Sequence, residues 1–170
     1  ISDPLTGLYN RRHFFELASK EFYRARRYGK NLSLVMLDLD DLKMINDTYG
    51  HLVGDQMLIF VAGQCHRQLR KADLAARFGG AEFILLLPET GLDQAMQVAW
   101  RLRDAVARGM TTEQGVVVVS GVSLGVSAID PACKTLELMV NRADQALYTA
   151  KASGKNRVCA WVDGQVRSFA

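Results

Sequence analysis

Cysteine is scarce in this chain and carries no pattern. Cys65, Cys133 and Cys159 are odd in number and widely spaced, with no CxxC pair, which argues against a disulfide framework or a zinc site. They are expected to be inert thiols, buried as small hydrophobes. Long apolar runs are also lacking: LSLVML and FILLLP fall well short of the ~20 residues a membrane-spanning helix needs. The opening stretch, ISDPLTGLYNRR, lacks the basic-then-apolar layout of a secretory signal. The expected setting is the cytoplasm, either as it stands or as a piece of a longer cytoplasmic protein, any anchor then lying upstream. A charge excess is missing as well. The net charge is +3 with Lys and Arg dispersed, a poor footprint for DNA or RNA. Anionic nucleotides remain compatible with it.

What is present is apolar residue in quantity, 49% of 170 residues, enough to bury one core, with no composition break, repeat or low-complexity stretch to divide it. Asp3-Pro4 followed by Leu5-Thr6-Gly7 reads as a turn, and RRHFFELASKEFYRARRYG has helical spacing ending at Gly29. LSLVMLDLD, from Leu32, is a β-type apolar run ending in carboxylates. A short helix and the turn Tyr49-Gly50-His51 lead to a helix from about Val53 to Arg70, on which Leu58, Val61, Ala62 and Cys65 share a face. DLAARF and EFILLLP flank Gly79-Gly80, the signature of a hairpin turn. Leu92 to Arg108 reads as a helix, GVVVVSGVSLGVSAI as strand, TLELMVNRADQALYTAKASG as a helix ending at Gly154, and Arg157 to Val162 as a last strand. The fold class expected is α/β (α+β), a mixed and mainly antiparallel sheet flanked by helices.

Asp38 and Asp40 bracket Leu39 at the exit of the first strand, and side chains two apart on a strand share a face. Two acids there are costly unless solvated, paired or holding a cation. A magnesium site is one reading, since magnesium binds through one or two carboxylates plus substrate phosphates. Capping of the next helix is the other. The glycine hairpin brings a third acid, Glu82, toward the same strand end.

Four ordered motifs, DPLTGLYNRR, LDLDDLKMINDTYGHLVGD, RFGGAEF and ADQALYTAKASGKNRV, together resemble the GGDEF domain, the diguanylate cyclase family, over nearly the whole chain. The resemblance implies a ferredoxin-like palm, as in adenylate cyclases and polymerases, and the joining of two GTP molecules into cyclic di-GMP with release of pyrophosphate. It implies that Asp38, the backbone carbonyl of Leu39 and Glu82 stand at the position of two divalent ions, Mg2+ or Mn2+. It implies substrate phosphate binding by the backbone amides from Leu39 to Lys43 at a helix N-terminus, and by Lys151 and Lys155. Lys155 is often Arg in the family, and Lys keeps the charge without the bidentate geometry. Asn46 and Asp55 match the guanine-binding pair, a carboxylate accepting from guanine N1–H and its amino group. Leu42 stands where the family commonly has Phe.

The signature itself departs from the family. Its third residue supplies a carboxylate to the catalytic metals, and here it is Ala81, whose methyl group cannot ligate a cation. Loss of even a supporting partner typically costs a metal site ~10- to 100-fold, so weakened metal binding and little or no cyclase activity are expected. The fold and GTP binding should survive, because the turn rests on Gly79 and Gly80. Natural degeneration and a deliberate inactivating substitution both account for such an alanine. RKAD, Arg70 to Asp73, has the spacing and placement of the family's inhibitory RxxD motif, which binds intercalated cyclic di-GMP, and Arg101 is a second guanidinium for that site.

Three functions follow from these residues. An active cyclase requires a homodimer, because each domain presents one GTP. A catalytically silent member would bind cyclic di-GMP at Arg70 and Asp73, or GTP at the strand end. A bare dimerisation module would use neither. Ala81 favours the second.

Overall fold

A computed structural model describes residues 1–169. Helix α1 (Arg11–Tyr28) precedes strand β1 (Leu32–Leu39), helices α2 (Leu42–Tyr49) and α3 (His51–Gln68), and the hairpin β2 (Leu74–Gly79) and β3 (Glu82–Pro88). Then come α4 (Leu92–Ala107), a small hairpin β4 (Met110–Thr111) and β5 (Val117–Val118), β6 (Val122–Ala128), α5 (Leu136–Ala152), β7 (Val158–Val162) and β8 (Gln165–Phe169). Six strands form one sheet in the order β2-β3-β1-β6-β7-β8. β1 lies between β3 and β6 and is antiparallel to both, and only the β6–β7 pair is parallel. The β1-helix-β2-β3-helix-β6 portion, with neighbours in the order β2-β3-β1-β6, is the ferredoxin-like arrangement.

β1 is covered on both faces, which explains its unbroken apolar run. Val35, Leu37 and Leu39 join Phe83 and Leu85 in a cluster with α3 and α4, while Leu34 and Met36 join Ile84 and Leu86 in a second cluster with α1 and α5. Helix α5 approaches β6 so closely that a Cβ at Gly125 would collide with the Ala143 carbonyl and the Leu147 amide. Only glycine allows that spacing. The three thiols are free and buried, as expected, and burial pushes Cys65 up to about 12. Among the described residues no helix is long and apolar enough to cross a membrane.

Several element boundaries differ from the sequence expectation. Helix α3 starts at His51 and stops at Gln68, so Arg70 lies in the following turn, where its amide donates to the Asp73 carboxylate at 2.8 Å. The valine-rich stretch is two strands, the first of which leaves the main sheet to pair with β4. The last strand has a partner, β8, that the expectation lacked. Its signal was Asp163-Gly164, both with positive φ (49° and 88°), the Asp-Gly pair that a two-residue hairpin favours.

Candidate active site

The ends of β1 and β3 meet because Asp38 pairs with Glu82 in register and the Leu39 amide donates to the Ala81 carbonyl at 3.0 Å. The glycine turn between β2 and β3 is fastened from outside: Arg77 Nε and Nη2 donate to the Gly80 carbonyl at 3.1 and 2.7 Å. The same guanidinium lies 3.5 Å from Asp3, whose carboxylate also accepts from the Thr6 amide and hydroxyl. The opening turn and the glycine hairpin are therefore one structure, tied through Arg77. Sequence reading had assigned Arg77 no part in this.

Asp38 is the half-desolvated acid of the site. Burial raises its pKa, and Asp40 adds to the rise, against the opposing Lys151. Lys151 Nζ lies 2.6 Å from Asp38 Oδ2, with side-chain exposures of 35% and 14%. Glu82 is raised as well, by burial first and then by Asp38 and Asp144, with Lys151 and Arg11 opposing. Two carboxylates that resist ionisation beside one another form an electrostatic setting a cation relieves.

Asp40 acts on that setting through its charge alone, because its carboxylate is bonded elsewhere. The expectation placed Asp38 and Asp40 on one strand face, but β1 ends at Leu39 and the chain turns. The Asp40 carboxylate is buried, accepting from the Ser123 hydroxyl at 2.7 Å and the Asn156 amide at 2.9 Å. It joins β1 to β6 and to the segment after α5. Nor do these acids cap α2: the cap position is Asp41, in the left-handed region at φ 59°, with no side-chain capping bond. Instead Asp41 Oδ1 accepts from Lys155 Nζ at 2.7 Å.

Of the amides from Leu39 to Lys43, the first two are committed: Leu39 donates to Ala81 and Asp40 to Gly121. Among the described residues those of Asp41, Leu42 and Lys43 donate to no protein acceptor, so the helix N-terminus offers three amides rather than five. Lys43 is exposed and pairs with Asp47 at 3.1 Å. Asn46 sits over Gly54, where any Cβ would collide with its carboxamide oxygen. Gly54 thus shapes the seat of Asn46, and exposed Asp55 follows it on α3. Leu42 is half-buried against the α3/α4-side cluster.

Ala81 is half-buried and packs against that same cluster. A cavity of about 740 Å³ opens beside it, lined by Asp38, the glycine turn, Glu82, Arg11, Phe78 and Asp144 among others. Arg11 lies over the Phe78 ring at 4.1 Å. Arg11 and Asp144 were not singled out from sequence, although both lie inside the quoted motifs. Among the described residues no three His, Cys, Asp or Glu side chains are grouped to hold a metal. Asp38 and Glu82 are two carboxylates, a number that fits magnesium only where further oxygens from outside the protein complete its shell.

At the other end of β3 a smaller pocket of about 210 Å³ is lined by Arg70, Asp73, Thr90 and Arg101 among others. Arg70 Nη2 donates to Thr90 Oγ1 at 2.7 Å, to the Pro88 carbonyl at 2.8 Å and to Asp73 at 3.3 Å. Arg101 Nε donates to Gln68 at 3.1 Å. The structure brings the three residues together.

A sequence profile described as "Diguanylate cyclase, GGDEF domain" matches residues 1–157. Diguanylate cyclase DgcP of Pseudomonas aeruginosa is 43% identical over 158 residues, which is 93% of this chain and 23% of that protein. The chain thus spans about a quarter of the length of that curated relative. The crystal structure of diguanylate cyclase SiaD with its activator SiaC, also from Pseudomonas aeruginosa, matches with a TM-score of 0.88 at 41% identity, covering 94% of this chain and 61% of that one. The GGDEF domain of DgcB from Caulobacter crescentus, in complex with c-di-GMP, matches at 0.89 and 31% identity, covering 94% of both.

Proposed function

The chain belongs to the GGDEF family of diguanylate cyclases, and on that premise we propose that it is a nucleotide-binding domain of cyclic di-GMP signalling with its cyclase step lost or much reduced. Ala81 carries this reading: a methyl group stands between the glycine turn and Glu82, which leaves Asp38 and Glu82 as the acids for the metal position. Cyclases of the family use Mg2+ or Mn2+, which neutralises triphosphate charge and activates the attacking 3′-hydroxyl. Here the protein's own contribution is binding and placement. The amides of Asp41 to Lys43 receive phosphate at the α2 N-terminus, Lys43, Lys151 and Lys155 neutralise it, and Asn46 and Asp55 read the guanine edge. Two domains facing each other, each with one GTP, form the reacting pair, so the homodimer is the competent state. An upstream sensory domain in the full protein would control that meeting.

The pocket at Arg70, Asp73 and Arg101 is proposed to bind cyclic di-GMP, with guanidinium on phosphate and carboxylate on a guanine edge. Its support is the convergence of these three residues on one pocket. The silent-receptor reading is therefore preferred to a bare dimerisation module. Incubation with GTP and magnesium, with chromatographic detection of cyclic di-GMP, tests the first claim, and robust turnover would overturn it. Calorimetry with cyclic di-GMP, alongside Arg70→Ala, tests the second. Absence of binding, or binding untouched by the substitution, would remove it.

A further inference from the structure

Lys151 and Lys155 both rest on carboxylates, but the two carboxylates differ in kind. Lys155 pairs with Asp41, an exposed acid at the lip of α2, with side-chain exposures of 46% and 41%. Lys151 pairs with Asp38, the most buried of the acids at the metal position, at 2.6 Å. Both oxygens of a carboxylate so confined cannot serve an ammonium in contact and a dication in contact without crowding two positive centres together. Lys151 also weighs on Glu82, the other acid at that position.

We propose that Lys151 competes with the divalent cation for Asp38, and that Ala81 tips the competition toward the lysine. The inference rests on the reading of Asp38 as a metal-binding residue. The charges explain the tipping. Asp38 and Glu82 carry at most two negative charges between them, and the Lys151 ammonium cancels one, leaving too little to hold a bare dication. A third acid at position 81 would leave two. Lys151 thus has two stations: Asp38 when the site is bare of metal, and the triphosphate when a nucleotide delivers the cation with its own oxygens. It is a positioning residue that makes metal binding depend on nucleotide.

Manganese binding without nucleotide, followed by electron paramagnetic resonance of the free ion, tests this in four proteins: the unmodified chain, Lys151→Met, Lys155→Met and Ala81→Asp. Lys151→Met is expected to bind Mn2+ about tenfold more tightly, the scale of a charge-assisted hydrogen bond discounted for partial exposure. That gain should persist at 0.5 M salt, roughly, where effects between separated charges are screened. Lys155→Met, whose partner lies at the lip, should shift affinity much less and lose the shift in salt. Equal or weaker binding in Lys151→Met, no measurable binding in either protein, or a gain that salt abolishes would overturn the proposal. Ala81→Asp reports on the other reading separately: if it fails to tighten Mn2+ while Lys151→Met succeeds, the assignment of position 81 falls and the competition stands.

Discussion

The two ends of strand β3 carry polar sites built on different terms. At the Glu82 end, Ala81 is held through its own backbone, its carbonyl accepting from Leu39, while the Arg77 side chain clasps the turn before it. No side-chain contact at position 81 supports the fold beyond a methyl packed on the core. At the Pro88 end, the Arg70 side chain ties the β2 entry to the loop after β3 through Pro88 and Thr90. There the group proposed to bind a ligand is also a structural group. A change of side chain at position 81 is therefore expected to leave folding intact, whereas loss of the Arg70 side chain is expected to cost stability.

The sharpest way to break this contrast is Ala81→Asp. It is expected to raise cyclic di-GMP synthesis from GTP at least ~10- to 100-fold, measured by chromatography, with little change in the thermal midpoint. A fall in stability would show that position 81 has structural weight after all. Next in size is Asp40→Ala, which strands the Ser123 hydroxyl and the Asn156 amide in a buried setting. A loss of about 2–3 kcal/mol is expected by denaturant unfolding, placing the structural acid of this end at Asp40 rather than in the signature. Arg70→Ala should abolish cyclic di-GMP binding and also cost about 1 kcal/mol, because the exposed guanidinium loses hydrogen bonds to Thr90 and Pro88. Lost binding at full stability would separate the two roles fused there.

The smallest effect concerns Glu82. Its carboxyl holds a proton more tightly in the folded chain than in the unfolded one, through burial and then Asp38 and Asp144. Its contribution to stability is thus complete below the unfolded value near ~4 and is lost as pH rises through the raised folded value. Glu82→Gln removes that loss. The variant should match the unmodified domain at low pH and gain slightly in thermal midpoint toward neutrality, and an unchanged or falling midpoint would contradict the electrostatic account of this end.

Much of the fold was legible because it is written in short-range pattern. The apolar run of β1, the helix ending at Gly29 and the Gly79-Gly80 turn each rest on neighbours in sequence. β8 is marked in the sequence by Asp163-Gly164 alone, because its five residues of mixed polarity, QVRSF, show no clean alternation. The site was legible in membership more than in arrangement. Asp38 and Asp40 look equivalent along the chain, yet one faces a lysine and the other fastens β6. Where β1 ends decides between them, and strand ends depend on partners rather than on the strand's own residues.

The sequence by itself determined most of the elements, the family the chain belongs to and the methyl group at position 81, since each of these is a matter of residue type and local spacing. The tertiary structure alone decided how the remaining charges are paired. Asp40 finds its hydroxyl donor 83 residues away and Asp41 its lysine 114 residues away, and Lys151 reaches Asp38 from the last helix. Such pairs exist only where the topology brings β1, β6 and the end of α5 to one edge, and the strength of each depends on how much water that edge excludes.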